Sequence, residues 1–155
     1  MLTASSNDET GGMHPMTSKQ ELVQELVERF NGHDAAAFAA AYAPDATVHD
    51  PQHGEPLRGR DAIERDIADF FTSFPDIQNT VQVTLESDDV IATRSTMTAT
   101  HGGPLAGPEG EIPPTGQPVR IEVAVFSRVN EDGQVTEEHR YYDLAGLVEQ
   151  LAVKS

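Results

Sequence analysis

Apolar and polar residues alternate along this chain with two different periods, and the change between them divides it. Up to about Phe74 the apolar residues recur every three or four positions. "SKQELVQELVERFN" puts Leu22, Val23, Leu26, Val27 and Phe30 on one helical stripe. Ser18 and Glu21 have the S-x-x-E spacing of a capping box, and Asn31-Gly32 ends the run. Asp34 is placed to cap a second, alanine-rich helix through Tyr42, stopped by Pro44. "ATVHDP" reads as a short extended piece and "QHGEPLRG" as loop. "RDAIERDIADFFTSFP" predicts a third helix with Ile63, Ile67, Phe70, Phe71 and Phe74 on one side and Pro75 at its end.

Beyond Pro75 the period becomes two. "IQNTVQVTLE" alternates through Val81, Val83 and Leu85, and "SDD" supplies a turn into the threonine-rich "VIATRSTMTATH". "GGPLAGPEGEIPPTGQP" holds too much Gly and Pro for regular structure and reads as a loop bordering a pocket entrance. In "VRIEVAVFSRV", Val119, Ile121, Val123 and Val125 share one face while Arg120, Glu122 and Arg128 share the other. "NEDG" is a hairpin turn and "QVTEEHRYYD" its return strand. Asp143 then caps a short C-terminal helix, "LAGLVEQLAV". The order α-α-β-α-β-β-β-β-α implies an α+β fold in which helices cover one face of an antiparallel meander. A twisted sheet folded over helices leaves a conical cavity that suits a small apolar ligand.

Composition narrows the picture. A chain of 155 residues suits one domain. Residues 1–17 offer almost nothing to bury and lack signal-peptide features, so they are expected to be a disordered lead-in to a domain over 18–155. Zero cysteines exclude disulfides, zinc–thiolate sites and thiol nucleophiles, which fits a cytoplasmic protein. No apolar run approaches the ~18 residues of a membrane span. A net charge of −16 repels nucleic acid and anionic lipid. Lys19 and Lys154 are the only lysines, and so many carboxylates with so few lysines suggest a salt-rich host. A melting temperature falling steadily from low salt to molar KCl would contradict that.

The order of elements, with "RFNGHD", "YAPDATVHDP", "LRGRDAI", "FFTSFPDI", "TATHGGPLAG", "IPPTGQPV", "EEHRYYD" and "LVEQLA", resembles the SnoaL-like polyketide cyclases (ester cyclases) of the nuclear-transport-factor-2-like superfamily. The strings run from about Glu21 to Val153. The resemblance implies a conical α+β barrel, commonly dimeric, with its pocket between sheet and helices and no cofactor. Its cyclases close a polyketide ring by an intramolecular aldol reaction with an aspartate as acid/base. That aspartate lies three residues before the one that starts the last helix, a position held here by Arg140. The family's partner histidine falls on Val125. Limonene-epoxide-hydrolase relatives use an Arg-x-Asp pair, but Arg94-Ser95-Thr96 lacks the acid. Arginine stays protonated and cannot be a general base, so the chemistry is not inherited residue by residue.

Strand alternation puts Glu138, Arg140 and Tyr142 on one face and His139 and Tyr141 on the other. In the cyclase register the first face lines the pocket, opposite Val123 and Val125. Arg140 is then either a clamp for an enolate, carboxylate or carbonyl oxygen, or the partner of Glu138 or Asp50 in a structural ion pair. Asp50, in "VHDP", is either the general base or a turn-forming residue before Pro51. Tyr42, Tyr142, Ser95 and His101 are the further expected ligand contacts; Tyr42 and Tyr142 are otherwise packed and hydrogen-bonded locally, and His101 is either at the pocket rim or a hydrogen-bonded loop histidine. "HDPQH" invites a metal reading, but His49 and Asp50 should face opposite ways on a strand, so no metal site is expected. His139 and Tyr141 suit a homodimer surface. Three readings stay open: a cofactor-free acid/base enzyme (cyclisation, isomerisation or hydration) on a small, mostly apolar carbonyl compound; a binding protein without chemistry; a dimeric scaffold.

Overall fold

The computed structural model describes residues 18–152, and the expected lead-in, residues 1–17, lies outside them. The capping box forms as the spacing predicts. Ser18 Oγ accepts from Glu21 N, and the Glu21 carboxylate accepts from Ser18 N, both at 3.1 Å, opening α1 (Lys19–Asn31). Asp34 caps α2 (Ala35–Ala39) through the Ala37 N–H. This helix stops short of the Tyr42 end its composition predicts. Tyr42 instead begins β1 (Tyr42–His49), which also contains Pro44. Alanine favours helix, but the tertiary setting outweighs it. Tyr42 pairs with Val135, its side chain is fully buried, and its hydroxyl donates to Glu138 at 2.8 Å.

A two-residue strand, β2 (Leu57–Arg58), pairs antiparallel with β1 in a segment expected to be loop. Two residues are too few to show an alternation in sequence. α3 (Arg60–Ser73) packs on β1 and α2, with Ile63 and Ile67 buried and Phe74 buried just beyond its end.

The expected meander is present as β3 (Gln78–Ser87), β4 (Val90–Thr100), β7 (Pro118–Val129) and β8 (Val135–Tyr141). The sheet order is β2-β1-β8-β7-β4-β3. All neighbours are antiparallel except β1 and β8, which run parallel. Val119, Ile121 and Val123 are buried as predicted. The sheet curves, and helices cover its inner face. α4 (Leu144–Gln150) starts at Asp143, which accepts from Gly146 N at 2.9 Å, and packs against β7.

Two further expectations change. The Gly-Pro segment contains a small ribbon, β5 (Leu105–Gly107) with β6 (Gly110–Ile112). Its prolines flank the paired residues or sit in the turn, where a missing N–H costs no ladder bond. Gly110 takes φ 117° there, a conformation open to glycine. In β3 the predicted inward row of Val81, Val83 and Leu85 breaks. Val81 pairs with Ser95 but Val83 with Arg94, so Gln82 is an extra, bulged residue. The bulge inverts the alternation after it, and Leu85 is 64% exposed on the outer face.

Candidate functional site

Between α1, α3 and the sheet lies a cavity of about 140 Å³. Leu22, Leu26, Phe70, Val81, Ile121 and Val125 are among its apolar walls. Tyr42, Asp50, Asp66, Glu138, Arg140 and Tyr142 also line it. They form one polar cluster.

Alternation turns Glu138 and Arg140 of β8 inward, and Val125 of β7 pairs directly with Arg140. Arg140 Nε donates to Glu138 Oε2 at 2.6 Å, and Nη1 donates to both Asp50 Oδ2 and Asp66 Oδ2 at 3.1 Å. Its Nη2 is buried and has no hydrogen-bond partner among the described residues. Asp50 follows the last residue of β1, where its Oδ1 accepts from Gln52 N at 2.9 Å in an Asx turn. Oδ1 also accepts from the Tyr142 hydroxyl at 2.6 Å. Glu138 Oε1 accepts from Tyr42 at 2.8 Å and from Ser127 at 3.3 Å. Asp66, from the inner side of α3, lies 2.6 Å from His53 Nε2. The structure thus makes both ion pairs expected of Arg140 and adds a third.

Burial and charge fix the protonation states. Burial works against the Arg140 charge, but Glu138, Tyr42, Asp66 and Asp50 outweigh it and raise its pKa further. Burial alone would raise Asp66, yet the His53 hydrogen bond and the Arg140 charge bring it below the ordinary carboxylate value. The same hydrogen bond raises His53 above the ordinary histidine value. Burial, with the charges of Glu138 and Asp50 respectively, raises Tyr42 and Tyr142, so both keep their protons.

Of the residues singled out from sequence, Tyr42, Asp50, Ser95, Val123, Val125, Glu138, Arg140 and Tyr142 all line the cavity. Arg94, beside Ser95, is exposed and offers no Arg-x-Asp pair. His101 is not at the rim. It is fully buried against Phe74, with ring centroids 5.6 Å apart, and accepts from Thr115 N at 3.2 Å. Its backbone N–H bonds Gln117 at 2.9 Å, which draws the ring into the core where the ribbon leaves the sheet. Burial lowers its pKa, leaving it neutral. His139 and Tyr141 do lie on the outer face, where Tyr141 is 55% exposed.

Sequence reasoning missed Asp66, and weighed His53 only as a possible metal ligand in "HDPQH", not as the partner of Asp66. Asp66 had a signal: it interrupts the apolar stripe of α3 three positions after Ile63 and four before Phe70. An acid on the buried face of a helix needs a partner.

The profile of the SnoaL-like polyketide cyclases matches residues 20–151. No curated protein matches the chain in sequence. Among solved structures, IdmH of Streptomyces antibioticus, a candidate polyketide cyclase, is 30% identical with a TM-score of 0.71, over 88% of this chain and 100% of that one. AclR of Streptomyces galilaeus, a candidate hydroxylase, is 25% identical with a TM-score of 0.73, over 86% and 94%. A SnoaL-like protein of Jannaschia sp. CCS1 is 20% identical with a TM-score of 0.77, over 94% and 100%, and shares the fold. The chain belongs to the SnoaL-like polyketide cyclase family.

Proposed function

We propose that this protein is a cofactor-free acid/base enzyme acting on a small, mostly apolar carbonyl compound of polyketide type. One observation carries the reading: Asp50 and Arg140 meet 3.1 Å apart at the polar end of one apolar cavity, with a donor on Arg140 unused. Apolar walls hold the ligand body while the cluster holds its carbonyl end. Asp50 takes a proton from the carbon next to the carbonyl. The electron pair moves onto the carbonyl oxygen, and Arg140 and the Tyr142 hydroxyl stabilise the resulting enolate. If that enolate attacks a second carbonyl in the same molecule, a C–C bond forms and the new alkoxide recovers the proton from Asp50. Returning the proton to a different carbon gives an isomer instead.

A second reading, binding without chemistry, is favoured by one fact: each donor that Arg140 uses is directed to a carboxylate of the protein. A thermal-shift screen in high salt with small aromatic, terpenoid and β-keto compounds separates these readings from an incidental cavity. The enzyme reading expects stabilisation by β-keto compounds, with Asp50→Asn keeping the shift and losing turnover. Turnover surviving in Asp50→Asn overturns the assignment.

The proposed partner of the outer sheet face is a second copy of the chain. Leu85, Ala92 and Phe126 pair in turn across β3, β4 and β7, away from β1, and Leu85, Phe126 and Tyr141 are the large exposed apolar side chains of the described residues. Light scattering should give a dimer for the wild type and a monomer for Phe126→Glu.

A further inference from the structure

The outer face of β1 and β8 gathers three side chains that the cavity does not use. The two strands run parallel, with His49 paired directly to His139. Glu137 precedes His139 by two positions, so alternation brings it to the same face. The rings of His49 and His139 stack, centroids 4.2 Å apart and planes within 2°. His139 Nε2 lies 3.1 Å from Glu137 Oε2. One donor atom from each of the three lies within 4.8 Å of the other two.

We propose that His49, Glu137 and His139 bind a divalent transition-metal ion of the zinc type. Two imidazole nitrogens with one carboxylate suit zinc, nickel or copper, whereas magnesium and calcium prefer oxygen donors throughout. Bonds of about 2.0–2.2 Å to a tetrahedral ion put donors roughly 3.3 Å apart. Closing from 4.8 Å needs only side-chain rotation, because all three side chains stand on paired strands and are half-buried. The rings must fan out of their stack, since parallel rings aim their lone pairs in parallel. Glu137 Oε1 lies 3.6 Å from Arg128 Nε, which orients the carboxylate and leaves Oε2 toward the histidines. A groove between His49, His139 and the 51–56 loop gives an ion access and room for water as a further ligand. The net charge of −16 draws cations to the protein. This site stands apart from the cavity and does not rest on the proposed chemistry.

The test is calorimetric titration of zinc chloride into chelator-treated full-length protein, repeated with His49→Gln, His139→Gln and, as a control, His53→Gln. Circular dichroism melts establish that each variant is folded. The expected result is one zinc per chain, weakened about tenfold or more in each of the first two variants, unchanged in the control, and no heat from magnesium chloride. No zinc binding by the wild type, or binding by His49→Gln and His139→Gln as tight as the wild type's, overturns the proposal.

Discussion

Replacing Arg140 by alanine removes the cation that ties three acids together. Arg140 sits 2.6 Å from Glu138 and 3.1 Å from Asp50 and Asp66, and all four side chains are at most 10% exposed. With His53 protonated, the cluster holds three negative and two positive charges, a net of −1; without Arg140 the net becomes −2. Taking one partner from a buried pair costs about 3–5 kcal/mol, because the other charge stays desolvated. Three dependent carboxylates place Arg140→Ala toward the upper end of that range. Proton uptake by the remaining carboxylates caps the loss, so it should be smaller at pH 5 than at pH 7.5. Arg140→Lys should fall between, since a single ammonium cannot reproduce the guanidinium fork. Urea unfolding followed by circular dichroism measures this at both pH values, with exposed Arg120→Ala as control. A loss below about 1 kcal/mol for Arg140→Ala, or one equal to that of the control, would refute the view that Arg140 organises the cluster.

The His53–Asp66 pair predicts a pH window. His53 is raised, so its contribution is complete below its ordinary value of 6.5 and fades as pH rises through its folded value; Asp66 is lowered, so its contribution is complete above 3.8 and fades as pH falls through its folded value. The melting-temperature gap between wild type and His53→Gln should be widest near pH 5–6 and shrink above pH 7; a gap that grows with pH rejects the pairing. Gly103 has no room for a side chain, because an added Cβ would overlap the backbone oxygen of Thr72. Gly103→Ala should cost about 1–3 kcal/mol in urea unfolding by prising the ribbon from the end of α3, whereas Gly54→Ala, with nothing within 4 Å, should be near neutral.

Local signals in the sequence fixed their elements well. The Ser18–Glu21 box and the Asp34 and Asp143 caps depend on neighbours three residues away, so spacing reveals them. The even alternation of β7 likewise announces its buried face. What stayed hidden is non-local. The parallel pairing of β1 with β8 joins residues about ninety apart, and only that pairing brings His49 beside His139 and Asp50 beside Arg140. The bulge at Gln82 is a one-residue slip that no pattern marks, yet it decides which way Leu85 faces. Arg140 was legible as a pocket residue through the family resemblance and strand parity. Its third partner, Asp66, comes from a helix whose sequence reads mainly as core.

The central claim is that Asp50 moves a proton on a ligand held by Arg140. The most direct measurement is proton nuclear magnetic resonance in deuterium oxide, following exchange of the hydrogens beside the carbonyl in small β-keto compounds. The account predicts that wild-type protein accelerates exchange above the buffer rate, and that Asp50→Asn still binds the compound but gives no acceleration. A bound compound whose hydrogens exchange no faster than in buffer would contradict it.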